Sequence, residues 1–219
     1  MKHHERAVIF DMDGVIILSG DAHWKSWQVV AERRGWTVTY ESFLEGFGKV
    51  NHQVIPMMFG RPFEHAEMQA LADEKEAAFV DILEGEIPLA PNTRELLEEL
   101  RAQGIKTAVG TSAPPENLDL VLDGANLRHL FDASIHGADV TLGKPDPEVF
   151  LLAADRLGVA PEHCVVIEDA PVGVQAAKAA GMRAVALLTT NTRELLVGAG
   201  SDLIVDELSD LNAASVFGN

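Results

Sequence analysis

At 219 residues the chain has room for one large domain, or for a domain with a modest insert. Hydrophobic residues make up 47% and charged residues 23%, enough to bury a sizeable core, which excludes a disordered chain. Thirty-four acids against 17 basic residues leave a formal charge of -17, which repels nucleic-acid backbones and disfavours a basic membrane-surface protein.

The single cysteine, Cys164, excludes an internal disulfide framework and suits a reducing compartment. No apolar run approaches the roughly 18 residues of a membrane span, and residues 1–10 hold too short an apolar stretch for a signal peptide. A soluble, cytoplasmic protein is expected, monomer or dimer, with neither a nucleic-acid nor a membrane partner. His3, His4 and Glu5 read as a terminal tail rather than a metal tract.

In chain order, the first apolar run is Ala7–Phe10, short and bounded by polar residues, as expected of a strand buried on both faces. It ends in Asp11-Met12-Asp13-Gly14. Residues 15–88 then carry helix signals and no convincing strand. Residues 21–34 place Ala22, Trp24, Trp27, Val30 and Ala31 before Gly35; Asn51 is expected to cap a helix bent by Pro56 and ended by Gly60; residues 64–84 align Met68, Leu71, Ala78 and Ile82.

Alternation follows. Asn92 and Glu95 form an expected capping box for a helix stopped by Gly104, and a strand at 105–109 ends in Thr111-Ser112. A weak strand, Ala133–Ile135, precedes Gly143-Lys144-Pro145-Asp146-Pro147. There Asp146 is a candidate N-cap for a helix ended by Gly158. A strand at 164–167 ends in Glu168-Asp169; a helix at 171–180 and strands at 184–188 and Leu203–Val205 complete the series. The pattern predicts an α/β fold: a doubly wound, Rossmann-like parallel-sheet core of residues 1–14 and 89–219, with an all-helical cap domain of residues 15–88 inserted after its first strand.

In isolation, Asp-x-Asp-Gly is equally a turn. An EF-hand is excluded, because Val15 and Ile16 stand where a ligand and a glycine are required. Thr111-Ser112, Lys144 and Glu168-Asp169 each have an equally plain reading as caps, a solvated charge or a turn. A parallel sheet, however, gathers the carboxyl ends of its strands along one edge, where ligands bind. Four carboxylates there need a cation, and oxygen ligands without a His or Cys cluster select Mg²⁺. Metal, lysine, hydroxyl donor and nucleophile are the parts of phosphoryl transfer.

In order and content, DxDG, Thr-Ser, GKPDP and ED resemble the haloacid dehalogenase-like phosphatase superfamily across nearly the whole chain. The chain is most similar to that superfamily's β-phosphoglucomutase-like branch of helical-cap enzymes. The resemblance implies Asp11 as nucleophile, Asp13 as acid/base, and Thr111 and Lys144 as phosphoryl contacts. It implies Mg²⁺ held by Asp11, Glu168, Asp169 and the backbone carbonyl of Asp13. Asp13 is expected to begin protonated, favoured by the surrounding negative charge. Asp13 also argues against carbon–halogen chemistry, since dehalogenases of the family lack it.

Substrate contacts are implied for Ser112 and for His23, Lys75, Gly48 and Asn51 in the cap. Lys75 reads equally as a snorkelling lysine on an apolar stripe, and His23, four residues before Trp27, as a packed histidine. Asn51 stands near the place of the mutases' phosphate-anchoring arginine. Pro114 and Pro115 precede Asn117 where the mutases place a lysine and an asparagine, and Leu18 stands where many relatives have an acid. These departures favour a phosphatase of small phosphorylated metabolites over a phosphomutase. A signalling receiver domain is disfavoured by the insert and by Asp13. Trp24, Trp27, Trp36 and Met57-Met58-Phe59 read as the cap's own core, and Cys164 as an inert buried thiol.

Overall fold

The structure is a computed structural model and describes residues 5–83 and 87–218. His3, His4 and Glu84 lie outside the described residues. Strand β1 (Ala7–Phe10) lies at the centre of a six-stranded sheet of order β3-β2-β1-β4-β5-β6, every pair parallel. The others are β2 (Lys106–Gly110), β3 (Ala133–Ile135), β4 (Cys164–Glu168), β5 (Arg183–Leu187) and β6 (Leu203–Val205). Register aligns Phe10 with Val109 on one side and Ile167 on the other, so the chain leaves β1, β2 and β4 at one level.

Alternate strand residues feed two cores. Val8, Phe10, Val109 and Ile167 pack with Leu96, Leu97 and Leu100 of α5 (Thr93–Ala102), with Leu118 and Val121 of α6 (Pro115–Gly124), and with Val216 of α10 (Ala213–Val216). Ala7, Ile9, Ala108 and Val166 face Phe150 and Ala153 of α7 (Glu148–Leu157), Val174 of α8 (Pro171–Ala179) and Leu196 of α9 (Arg193–Ala199). Each fully buried aliphatic side chain contributes roughly 1.5–3 kcal/mol.

Between β1 and α5 come α1 (Gly20–Arg34), α2 (Tyr40–Gly46), α3 (Asn51–Phe59) and α4 (His65–Leu83). They have a separate core of Trp27, Val30, Phe43, Ile55, Met58 and Leu71, edged by Trp24, Trp36 and Phe59. The segments entering and leaving this cap are paired: Leu18 N–H donates to Pro88 O at 2.8 Å and Ala90 N–H to Ile16 O at 2.9 Å. Met57, expected with this core, instead receives the Lys49 ammonium at its sulfur.

Several local expectations are corrected. Asn92 makes no capping bond; at φ 70° its amide instead donates to the carbonyls of Leu208 and Leu211. Asn51 is the first residue of α3, after Val50, and its side chain reaches Glu76. Asp146 accepts the Glu148 N–H, one position ahead of the helix's N-cap, Pro147. Ile82 is exposed, because α4 has turned it out of the stripe. Helices α2, α6, α9 and α10 go beyond the sequence expectations: α2 and α9 are seven residues long and α10 four, too short for periodicity to reveal. No helix among the described residues is long and apolar enough to cross a membrane.

Candidate active site

At the carboxyl edge, Asp11 follows β1 with its N–H bonded to Ile167 O at 2.9 Å. Lys144 reaches in from the loop before α7, 1% exposed, and its ammonium donates to Asp11 Oδ1 at 2.6 Å and to Glu168 Oε1 at 2.7 Å. The second Glu168 oxygen accepts the N–H groups of Asp169 and Ala170. Burial, partly offset by Lys144 and reinforced by the charges of Glu168 and Asp13, pushes Asp11 up to about 7. Lys144 is raised too: burial lowers it, but the two carboxylates it bridges win.

Asp169 is fully buried and neither carboxylate oxygen accepts a hydrogen bond of ordinary geometry. Burial first, then the charges of Glu168 and Asp11, hold it well above the usual carboxylate range. Oxygens of Asp11, Glu168 and Asp169 lie within 4.8 Å of one another. A buried acid without a well-formed hydrogen bond, its oxygens beside those of Asp11 and Glu168 and with no His or Cys in the group, fits a hard divalent cation such as Mg²⁺.

The cradle tolerates no added atoms. A Cβ at Gly173 would overlap the Glu168 carboxylate, and one at Gly14 (φ +79°) the Asp169 carboxylate. Gly173→Ala is therefore expected to cost about 1–3 kcal/mol and to lower turnover together with stability; a melting curve and an initial-rate assay check this. Thr111 is buried beside Asp11 after β2, its hydroxyl accepting the Ala113 N–H at 3.1 Å.

Asp13 faces the other way, toward the cap. Its Oδ1 accepts Ser19 Oγ at 2.6 Å and lies 2.9 Å from His23 Nε2. Lys75 Nζ lies 2.8 Å from His23 Nδ1; an ammonium donating there leaves the ring proton on Nε2, which donates to Asp13. Burial raises Asp13, but His23, Ser19 and Lys75 outweigh it and hold Asp13 below its ordinary value. This corrects the expectation of a protonated Asp13: negative charge crowds Asp11 and Asp169, whereas cap donors surround Asp13. Its carboxylate is not in the acid group around Asp169.

Lys75 is 3% exposed and His23 stacks on Phe79 with ring centroids 4.0 Å apart. Beyond them is a residue the sequence reading did not single out. Glu76 accepts from Lys75 at 3.0 Å, from the Asn51 amide at 2.7 Å and from the Asn117 amide at 2.6 Å. Its signal was an acid beside Lys75 on a helix face turned inward. Ser19, just before α1, was also missed. Gly48 (φ +83°) approaches Ala170 too closely for a side chain, and its carbonyl accepts the Ser112 hydroxyl at 3.2 Å. Eight of the eleven expected site residues line one cleft of about 610 Å³ of empty space between cap and core, Asp11, Asp13 and Thr111 on its core side; Lys144, Glu168 and Asp169 are buried and do not line it.

Buried acids and a lysine at the carboxyl edge of a parallel sheet, roofed by a helical cap, are the marks of a phosphoryl-transfer enzyme. The chain belongs to the haloacid dehalogenase-like hydrolase family, whose model matches residues 5–181. It is 32% identical to the phosphorylated carbohydrates phosphatase of Thermotoga maritima, over 94% of this chain and 96% of that protein. It is also 32% identical to the β-phosphoglucomutase of Bacillus subtilis, over 94% of this chain and 91% of that one. The crystal structure of β-phosphoglucomutase from Clostridium difficile superposes with a TM-score of 0.88 at 25% identity, covering 97% of this chain and 96% of that one.

Proposed function

We propose that the chain is a Mg²⁺-dependent phosphatase of small phosphorylated metabolites, sugar phosphates foremost, acting through an aspartyl-phosphate on Asp11. Residues 1–14 and 89–219 would form its catalytic core and residues 15–88 the cap. The observation that carries this reading is the Asp11 carboxylate, pinned by Lys144 at 2.6 Å beside a buried Asp169 that lacks a well-formed hydrogen bond.

Asp11, Asp169 and Glu168, with the Asp13 carbonyl, would hold the metal. When bound, Mg²⁺ neutralises charge on the phosphoryl group and masks its repulsion from the acids. An Asp11 oxygen forms a bond to phosphorus in line with the ester oxygen, whose bond breaks. Lys144 and the Thr111 hydroxyl stabilise the equatorial oxygens. Asp13 gives the departing alcohol its proton, then takes one from the water that attacks the aspartyl-phosphate. With His23 and Ser19 bonded to it, Asp13 is poised as the base; the incoming phosphate dianion raises its proton affinity for the acid step.

Purified protein with Mg²⁺ and a panel of sugar monophosphates, followed for free phosphate, tests the reading; no release from any of them overturns it. A phosphomutase is the second reading, favoured by the similarity to β-phosphoglucomutases along the whole chain. Isomer formation dependent on a bisphosphate primer would support it. The metal has its own readout. Without substrate, Mg²⁺ at a hundredfold excess over Kd is expected to raise Tm by roughly 5–10 °C. Asp169→Asn should abolish that response yet melt above the metal-free wild type, because it replaces a buried acid that the neighbouring Glu168 and Asp11 charges oppose. Scanning calorimetry with and without EDTA checks both.

A further inference from the structure

The donors that line the roof of the cleft are paired with one another's acceptors, and this bears on what the leaving group can be. Glu76 enters from α4 with its side chain 17% exposed, ionised because Lys75, the nearby His23 and the Asn51 and Asn117 amides outweigh its burial. The Lys75 ammonium is already committed to both Glu76 oxygens and to His23 Nδ1. Lys49, the other lysine lining the cleft, reaches the sulfur of Met57 at 3.7 Å. Asn117, fully buried in α6 of the core, spends its amide N–H on Glu76, and its Oδ1 is buried with no partner at all. A side chain that lines a cleft and keeps an unmet acceptor awaits a donor.

We propose that Glu76 and Asn117 are specificity-determining residues that select a leaving group of neutral hydroxyls and reject one carrying a second phosphate. The inference rests on the phosphatase reading above and narrows it to monophosphates of polyhydroxylated compounds. Hydroxyls supply the donor that Asn117 Oδ1 lacks, while the Glu76 carboxylate, its oxygens already filled by Lys75, Asn51 and Asn117, contributes its charge. A second phosphate supplies only acceptors at neutral pH, and it brings two negative charges toward an ionised carboxylate in a desolvated site. A site built to hydrogen-bond hydroxyls discriminates strongly against groups that leave its polar atoms unpaired.

The test compares steady-state phosphate release from glucose 6-phosphate, fructose 1-phosphate and sorbitol 6-phosphate with that from fructose 1,6-bisphosphate. For the wild type, kcat/KM on the best monophosphate is expected to exceed that on the bisphosphate by at least ~10-fold. Glu76→Gln should shrink this ratio about tenfold, mostly through a lower KM for the bisphosphate. Asn117→Ala should raise KM for the monophosphates about tenfold while changing kcat less than about threefold. Equal use of both substrate classes by the wild type overturns the inference whether or not the variants fold. So does an unchanged ratio in a Glu76→Gln protein whose circular dichroism matches the wild type. No hydrolysis of any monophosphate by the wild type overturns the phosphatase reading first, and this selectivity with it.

Discussion

Replacing Asp11 with asparagine lowers kcat by at least ~10⁴-fold and leaves the fold intact. The amide has the carboxylate's shape and its oxygen can still accept from Lys144, but it carries no charge with which to attack phosphorus. The substitution also removes one of three acids whose oxygens crowd within 4.8 Å. The metal-free variant should therefore melt no lower than the wild type. Phosphate release on the best sugar phosphate and a melting curve check the two halves. Wild-type turnover in Asp11→Asn would eliminate the covalent route, since no other group stands in Asp11's place.

Lys144→Met carries the largest stability cost. Its ammonium is the shared counter-charge of Asp11 and Glu168, all three buried. Removing one partner of a buried ionic group costs about 3–5 kcal/mol, because the remaining charges lose their compensation. The sign of the pH dependence follows. Asp11 already titrates at about 7 with the lysine present, against 3.8 unfolded, and moves higher without it. A carboxyl with a raised folded pKa binds its proton more tightly in the folded state. The penalty is absent below the unfolded pKa and complete above the folded one. In EDTA, Lys144→Met should lose more stability at pH 8 than at pH 5, as urea titrations at both pH values will measure. A uniform loss across that range would assign Lys144 a packing role instead.

The core of this enzyme was legible in its sequence because its information is local and patterned. Short apolar runs between glycine-stopped helices located β1, β3 and β6 to the residue, β4 to within one position at its end, and β2 and β5 to within one position at both ends. Parallel pairing then forces Asp11, Thr111 and Glu168 onto one edge, whatever lies between them. The cap was less legible, since its site residues are set by how helices roll against each other. Nothing in the run Glu74-Lys75-Glu76 says that the middle residue is buried between His23 and Glu76, or that Glu76 meets Asn117 from the far side of the chain. Asp13 shows the same limit. Its charge state depends on donors brought by the cap, and the motif alone pointed to the acids instead.

The aromatic packing of the cap has a practical corollary. All three tryptophans and the single tyrosine of the chain, Trp24, Trp27, Trp36 and Tyr40, belong to the helical insert; none belongs to the sheet half. Trp27 borders the cleft, whereas Trp36 does not line it and packs edge-on against Phe59 and Phe63. Indole emission is therefore an unlabelled optical probe of the lid, with one fluorophore beside the occupant and another as an internal reference.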